Sequence, residues 1–244
     1  MTARALALCA LVALSALPLS GCQSTQSKSA ELEKEGSTTL FKEKGLQVGE
    51  VSSAVKVVGG EVLSDQNGAA VVVTVHNGSD RDLKDVPIAI DVVDEKGKSV
   101  FKNNLPGLEQ ALVAIPFIKA GQTLDWVNDQ VLATGTPAAV KVKVGETKET
   151  IDSPIPDLQV GDPTLRTDPV SGTEATGEVV NRSGEDQRNL LLYGVARQGD
   201  NVVAAGRGVI SRLKPTTKPV NYHIFFIGDP SGAQVTVTSF PTIK

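Results

Sequence analysis

Apolar and polar residues alternate with a period of two along most of this chain, and no stretch sustains a helical period. Val71-Val72-Val73-Thr74-Val75-His76 is rich in β-branched residues and stops at the turn Asn77-Gly78-Ser79. Such runs, bounded by Gly, Asn, Asp and Pro, predict strands half or wholly buried in a sheet. The pattern places strands near 51–58, 69–76, 86–93, 98–102, 110–117, 123–127 and 138–145. Glu95-Lys96-Gly97-Lys98 predicts a hairpin turn between Ile88–Val93 and Ser99–Phe101. About seven short strands at this spacing predict an immunoglobulin-like sandwich.

The pattern then repeats. Leu46-Gln47-Val48-Gly49-Glu50 returns as Leu158-Gln159-Val160-Gly161-Asp162, 112 residues later. The strand closing at Asn77-Gly78-Ser79 has a counterpart, Thr176-Gly177-Glu178-Val179-Val180, closing at Asn181-Arg182-Ser183. Ala139–Val144 matches Ala233–Thr238, and Gln198-Gly199-Asp200-Asn201 supplies a second hairpin turn. Three matches in one order argue for duplication of a unit. The chain is therefore expected to be all-β: two tandem immunoglobulin-like β-sandwich domains, 45–151 and 158–244. The linker Asp152-Ser153-Pro154-Ile155-Pro156-Asp157 between them is stiffened by its two prolines.

The second unit resembles the FxLYD family of small β-sandwich domains. The resemblance rests on Leu190-Leu191-Leu192-Tyr193-Gly194, preceded by Asn181-Arg182-Ser183. Leu192 and Tyr193 match the motif, whereas Leu190 replaces its Phe and Gly194 its Asp. The equivalent stretch of the first unit, Val86-Pro87-Ile88-Ala89-Ile90, has no tyrosine. The resemblance implies a sandwich fold in an extracellular setting and carries no catalytic site.

Residues 1–21 read as a leader: Arg4, an uncharged Ala/Leu-rich run from Ala5 to Leu19, then Ser20-Gly21-Cys22. Fifteen residues are too few for a membrane span, which takes about 20. Leu19-Ser20-Gly21-Cys22 resembles the lipobox of bacterial lipoproteins, which implies cleavage before Cys22 and a diacylglycerol group on its sulfur. The expected location is the cell membrane, lipid-anchored and facing outside the cytoplasm. Gln23 after the cysteine lacks the Asp-type inner-membrane signal, so in a two-membrane cell the outer membrane is favoured. Residues 22–44, rich in Ser, Thr, Gln, Lys and Glu, read as a flexible tether spanning roughly 25 Å.

Composition narrows the chemistry. The net charge of −4 is spread without a basic stripe, which excludes nucleic acid as the expected partner. Cys9 leaves with the leader and Cys22 is taken by lipid, so no disulfide, thiolate nucleophile or sulfur ligand remains. His76 and His223 stand without a second histidine at ligand spacing and read as strand residues. Ser211-Arg212-Leu213-Lys214 fits the S-x-x-K acylation motif, but that chemistry needs a helix and the context is β. Asp91, Asp94 and Glu95 lack a calcium-loop pattern. Gly206-Arg207-Gly208 lacks the third glycine and the helix of a phosphate cradle. The Asn-x-Ser triplets read as turns in which the Asn side chain bonds nearby backbone.

Trp126 is either a core anchor or an interface hot spot, and Tyr193 a tie for a corner loop or a second interface residue. No catalytic residue, cofactor or metal is expected. The expected function is a non-enzymatic interaction or scaffolding module for an envelope protein. The alternative is a ligand-binding accessory lipoprotein that captures a small molecule or envelope polymer for a transporter; a pocket between the domains, lined by Trp126 and a few polar groups, would favour it. The oligomeric state is open.

Overall fold

The computed structural model describes residues 45–169, 172–216 and 218–243. The leader, Cys22 and the tether lie outside the described residues. In chain order the strands are β1 (Val55–Asp65), β2 (Gly68–Asn77), β3 (Leu83–Val93), β4 (Ser99–Lys102), β5 (Ala114–Ile118), β6 (Thr123–Asn128) and β7 (Ala139–Val144). They continue as β8 (Leu158–Val160), β9 (Thr164–Asp168), β10 (Gly172–Asn181), β11 (Gln187–Gln198), β12 (Asn201–Leu213), β13 (Val220–Phe225), β14 (Ile227–Gly228) and β15 (Gln234–Phe240). A 3₁₀ turn, Gln110–Leu112, is the only helical element among the described residues. The fold is all-β, as the alternation predicts.

The first half of the sequence builds a sheet β1-β2-β6 and a sheet β4-β3-β5, with β7 also on β3. The second half builds β13-β10-β8, with β9 also on β10, and β14-β12-β11-β15. All the strand pairings are antiparallel. The sheets do not separate into two bodies: Glu43–Lys244 is a single compact unit. Ile151 and Ile155, flanking the start of the proline segment, pack against the same core as both halves.

The duplicated Asn-x-Ser turns share one hydrogen-bond scheme. Asn77 Oδ1 accepts from the Ser79 amide (3.1 Å) and hydroxyl (2.7 Å), while its Nδ2 donates to the carbonyls of Arg81 (2.8 Å) and Lys119 (3.1 Å). Asn181 Oδ1 accepts from the Ser183 amide (3.0 Å) and hydroxyl (2.7 Å), and its Nδ2 donates to Glu185 (2.7 Å) and Leu213 (3.0 Å). Both asparagines are buried, and their side chains close the end of each sandwich by satisfying backbone that a turn leaves unpaired. Asp85 and Asn189, each eight residues beyond its asparagine, also match: both sit at φ 49°. Asp and Asn tolerate that left-handed conformation better than other residues with a side chain.

Gly206 and Gly208 have a packing role. A Cβ at Gly206 would overlap the carbonyl of Phe225, and one at Gly208 would lie 2.6 Å from that of His223. Both glycines let β13 approach the backbone of β12, which joins the two sheets of the second half at close range. Gly177 likewise leaves space for the ring of Tyr222, whose hydroxyl donates to the Gly161 carbonyl at 3.1 Å.

Two substitutions test these devices. Asn77→Ala leaves buried carbonyls and an amide without partners and is expected to cost about 2–3 kcal/mol. Gly206→Ala is expected to lower stability by at least as much, by forcing β12 and β13 apart. Urea unfolding followed by far-ultraviolet circular dichroism measures both.

Candidate functional site: the seam between the two halves

The chemistry of the described residues concentrates where the two halves meet, and strand β11 shows how. Leu190 and Leu192 point into the second half, beside Val179, Tyr222 and Ile224. The alternate residues Leu191, Tyr193 and Val195 point the other way, into the cluster that also holds Val72, Val127 and Phe117 of the first half. The run Leu-Leu-Leu-Tyr-Gly-Val-Ala is continuous because both of its faces are covered. β2 behaves in the same way. Val73 pairs with Trp126 on its inner face, and Thr74 pairs with Asp125 on the face that meets the second half.

Polar contacts fasten this apolar seam at intervals. At one, Asp129 accepts from Arg207 Nε (2.7 Å) and from the Arg207 backbone amide (3.0 Å), and Glu109 accepts from its Nη2 (3.3 Å). The Arg207 side chain is only 5% exposed. Burial alone would weaken its charge, but attraction to Asp129 and Glu109 outweighs that and holds the guanidinium pKa raised. At another, Arg197 Nη2 bonds both Asp125 oxygens (2.8 and 2.9 Å), and the Thr74 hydroxyl donates to the same carboxylate at 2.6 Å. The β1–β2 hairpin makes a third, where Asp65 Oδ2 accepts from the Gly228 amide at 2.9 Å.

Glu61 sits beside the Arg197–Asp125 pair with a buried, unpartnered Oε2. Burial holds its carboxyl pKa above the usual range; Arg197 opposes the effect and Asp125 adds to it.

Trp126 and Tyr193, the candidate interface residues, are 0% and 1% exposed. Neither is presented to a partner at the surface. Both reach instead for one carbonyl: Ala111 O accepts from Trp126 Nε1 at 3.0 Å and from the Tyr193 hydroxyl at 3.5 Å. Trp126 Nε1 also lies 3.1 Å from the Ala114 carbonyl. Trp126 is thus the core anchor that pins the 3₁₀ turn, and Tyr193 ties a loop belonging to the other half. Burial pushes the Tyr193 phenol pKa up. Its ring lies 4.6 Å from that of Phe240, which meets Phe117 edge-on at 5.5 Å.

A groove of about 350 Å³ opens on this aromatic cluster. Phe117, Leu191 and Phe240 line it with Lys84, Glu109 and the two left-handed residues Asp85 and Asn189. Residues of both halves line it, and Trp126 does not.

The remaining candidates are dispersed. His76 Nδ1 lies 2.9 Å from the Thr123 hydroxyl, and His223 Nδ1 lies 3.0 Å from Glu174. Ser211 falls within strand β12, where no helix brings Lys214 one turn away. Asp94 Oδ1 accepts from the Lys96 and Lys98 amides, both at 2.9 Å, and so shapes the hairpin turn. Among the described residues no His, Cys, Asp and Glu side chains group as metal ligands. No helix of the described residues is long and apolar enough to cross a membrane. The chain matches no family model, no curated protein and no solved structure.

The seam residues that sequence reasoning missed are Arg207, Asp129, Arg197 and Asp125. Arg207→Met leaves Asp129 without its cation and is expected to cost about 3 kcal/mol; adding Asp129→Leu recovers more than half. For Glu61 the sign is opposite. Its folded pKa is raised, so ionisation opposes folding at neutral pH, and the chain gains stability as pH falls through that pKa, completely below about 4.5. Glu61→Gln is therefore expected to stabilise at pH 7 and to match the parent near pH 4. Urea midpoints across that range measure it.

Proposed function

We propose that this protein is a non-enzymatic, lipid-anchored component of the bacterial cell envelope that serves as a protein-interaction module. The Leu19-Ser20-Gly21-Cys22 lipobox supports anchoring at Cys22 on the outward-facing membrane surface. Residues 45–151 and 158–244 act as two immunoglobulin-like units, the second of the FxLYD type, docked as one rigid body.

The observation that carries this reading is how the polar groups are used. The arginines and carboxylates with the most buried contacts, Arg207, Asp129, Arg197 and Asp125, hold the halves together. Large apolar side chains nevertheless stand exposed: Leu132 at 83%, Val58 at 64% and Phe225 at 51%. A rigid platform with exposed edges and loops is what strand addition and loop recognition need.

The groove at Phe117, Leu191 and Phe240 favours a second reading, capture of an apolar ligand for a transporter.

Radiolabelled palmitate is expected to enter the protein in growing cells, and Cys22→Ala to abolish labelling and release the chain from the membrane fraction. Cross-linking on intact cells is expected to recover one recurrent envelope protein. Recovery of none, together with a thermal shift on adding envelope lipids or metabolites, would replace the interaction reading with ligand capture.

A further inference from the structure

Sheet edges are a hazard, because their unpaired N–H and C=O groups accept any passing strand, and proteins guard them with charge, proline, bulges or short length. The described strands here are guarded almost throughout. β1 has a register shift between Val57 and Gly59 and carries Lys56 and Glu61. β4 has only four residues and ends in Lys102, β5 has Pro116 at its centre, and β6 carries Asp125. β8 and β14 span three and two residues, and β9 carries Arg166 and Asp168. The carbonyls of His223 and Phe225 in β13 are closed off against Gly206 and Gly208. β7 carries Lys141 and Lys143, and Lys143 Nζ reaches back to the carbonyls of Val48 and Gly49 at 2.9 and 2.8 Å.

β15 is the exception. It is the counterpart of β7 in the repeat, yet Gln234-Val235-Thr236-Val237-Thr238-Ser239-Phe240 contains no charge, proline or glycine. Its pairing with β11 runs seven residues without a register shift, which leaves its other edge straight. Among the described residues β11 is its only strand partner.

We propose that this edge pairs with the same edge of a second copy of the chain, antiparallel and centred on Val237. The inference rests on the sheet-edge form of the interaction reading and names the partner. The strand is self-complementary in that register. Thr236 faces the partner's Thr238, Val235 faces Ser239, and Val237 meets its own equivalent. Threonine pairs then fall on one face, and Val237 extends the second half's apolar core on the other. No like charges meet. The same operation on β7 would bring Lys141 and Lys143 of both copies together, which explains why the edge open to a partner is in the second half. The contact is isologous, so it closes as a two-fold dimer joining two four-stranded sheets into one of eight.

Sedimentation equilibrium of the full chain in detergent tests this without any other envelope component. A failure there is therefore distinct from a failure of cell cross-linking. The wild type is expected at twice the protomer mass, and Thr236→Lys with Thr238→Lys at the protomer mass with an unchanged circular dichroism spectrum. A monomeric wild type at about 100 µM overturns the proposal, as does a dimer that survives both lysines. Should the lysines impair folding, amide exchange of the wild type decides. Alternate β15 amides are expected to exchange at least tenfold more slowly at dimer-forming concentration than after dilution; equal rates overturn the proposal.

Discussion

Strand β11 has both of its faces packed, and much of the molecule follows from that. In an ordinary antiparallel sandwich one face of each sheet meets water, and alternation of apolar and polar residues records it. Here the outward face of β14-β12-β11-β15 is closed by the outward face of β1-β2-β6. Leu191, Tyr193 and Val195 consequently belong to the same apolar cluster as Val72 and Val127. Burying two sheet faces against each other removes far more apolar surface than a linker contact would. It also turns two repeated units into one compact body, and it places the groove, the aromatic cluster and the paired charges on a single line of contact.

That arrangement gives the charged residues their meaning. An arginine buried on a sheet face needs a partner of opposite charge, because its desolvation is costly. Arg207 and Arg197 each find theirs on the opposite half. The seam therefore has a register as well as an affinity: sliding one sheet over the other would strip both guanidiniums of their carboxylates at once. Hydrophobic contact holds the halves together, and the ion pairs fix where.

Much of this was legible in the sequence, and the reasons are local. The alternating runs predict β2 and β7, and the glycine-containing turns predict both hairpins. The Asn-x-Ser triplets predict turns in which the asparagine bonds nearby backbone, because Asn77 and Asn181 work over a few residues of chain. The unbroken apolar run around Tyr193 signals a strand covered on both faces, but not what covers it. The seam itself was not legible. Asp129 and Arg207 are separated by 78 positions and Asp125 and Arg197 by 72, and nothing in either neighbourhood marks them as partners. Trp126 was ambiguous for a related reason: alternation assigns it to a face, while its indole partners, Ala111 in the 3₁₀ turn and Ala114 at the start of β5, lie in a stretch whose pattern reads as one strand over 110–117.

The placement of the charges also sets how the molecule responds to its surroundings. Ion pairs open to solvent, such as Arg212 with Asp186 and Lys102 with Asp91, fade as salt rises, because mobile ions screen them. The Arg207–Asp129 contact, whose side chains are 5% and 20% exposed, is screened much less. A body built this way changes its surface attractions with every change in the ionic strength of the medium, while the buried apolar contact of its interior joint is left in place. That separates a tunable exterior from a frame that salt weakens far less.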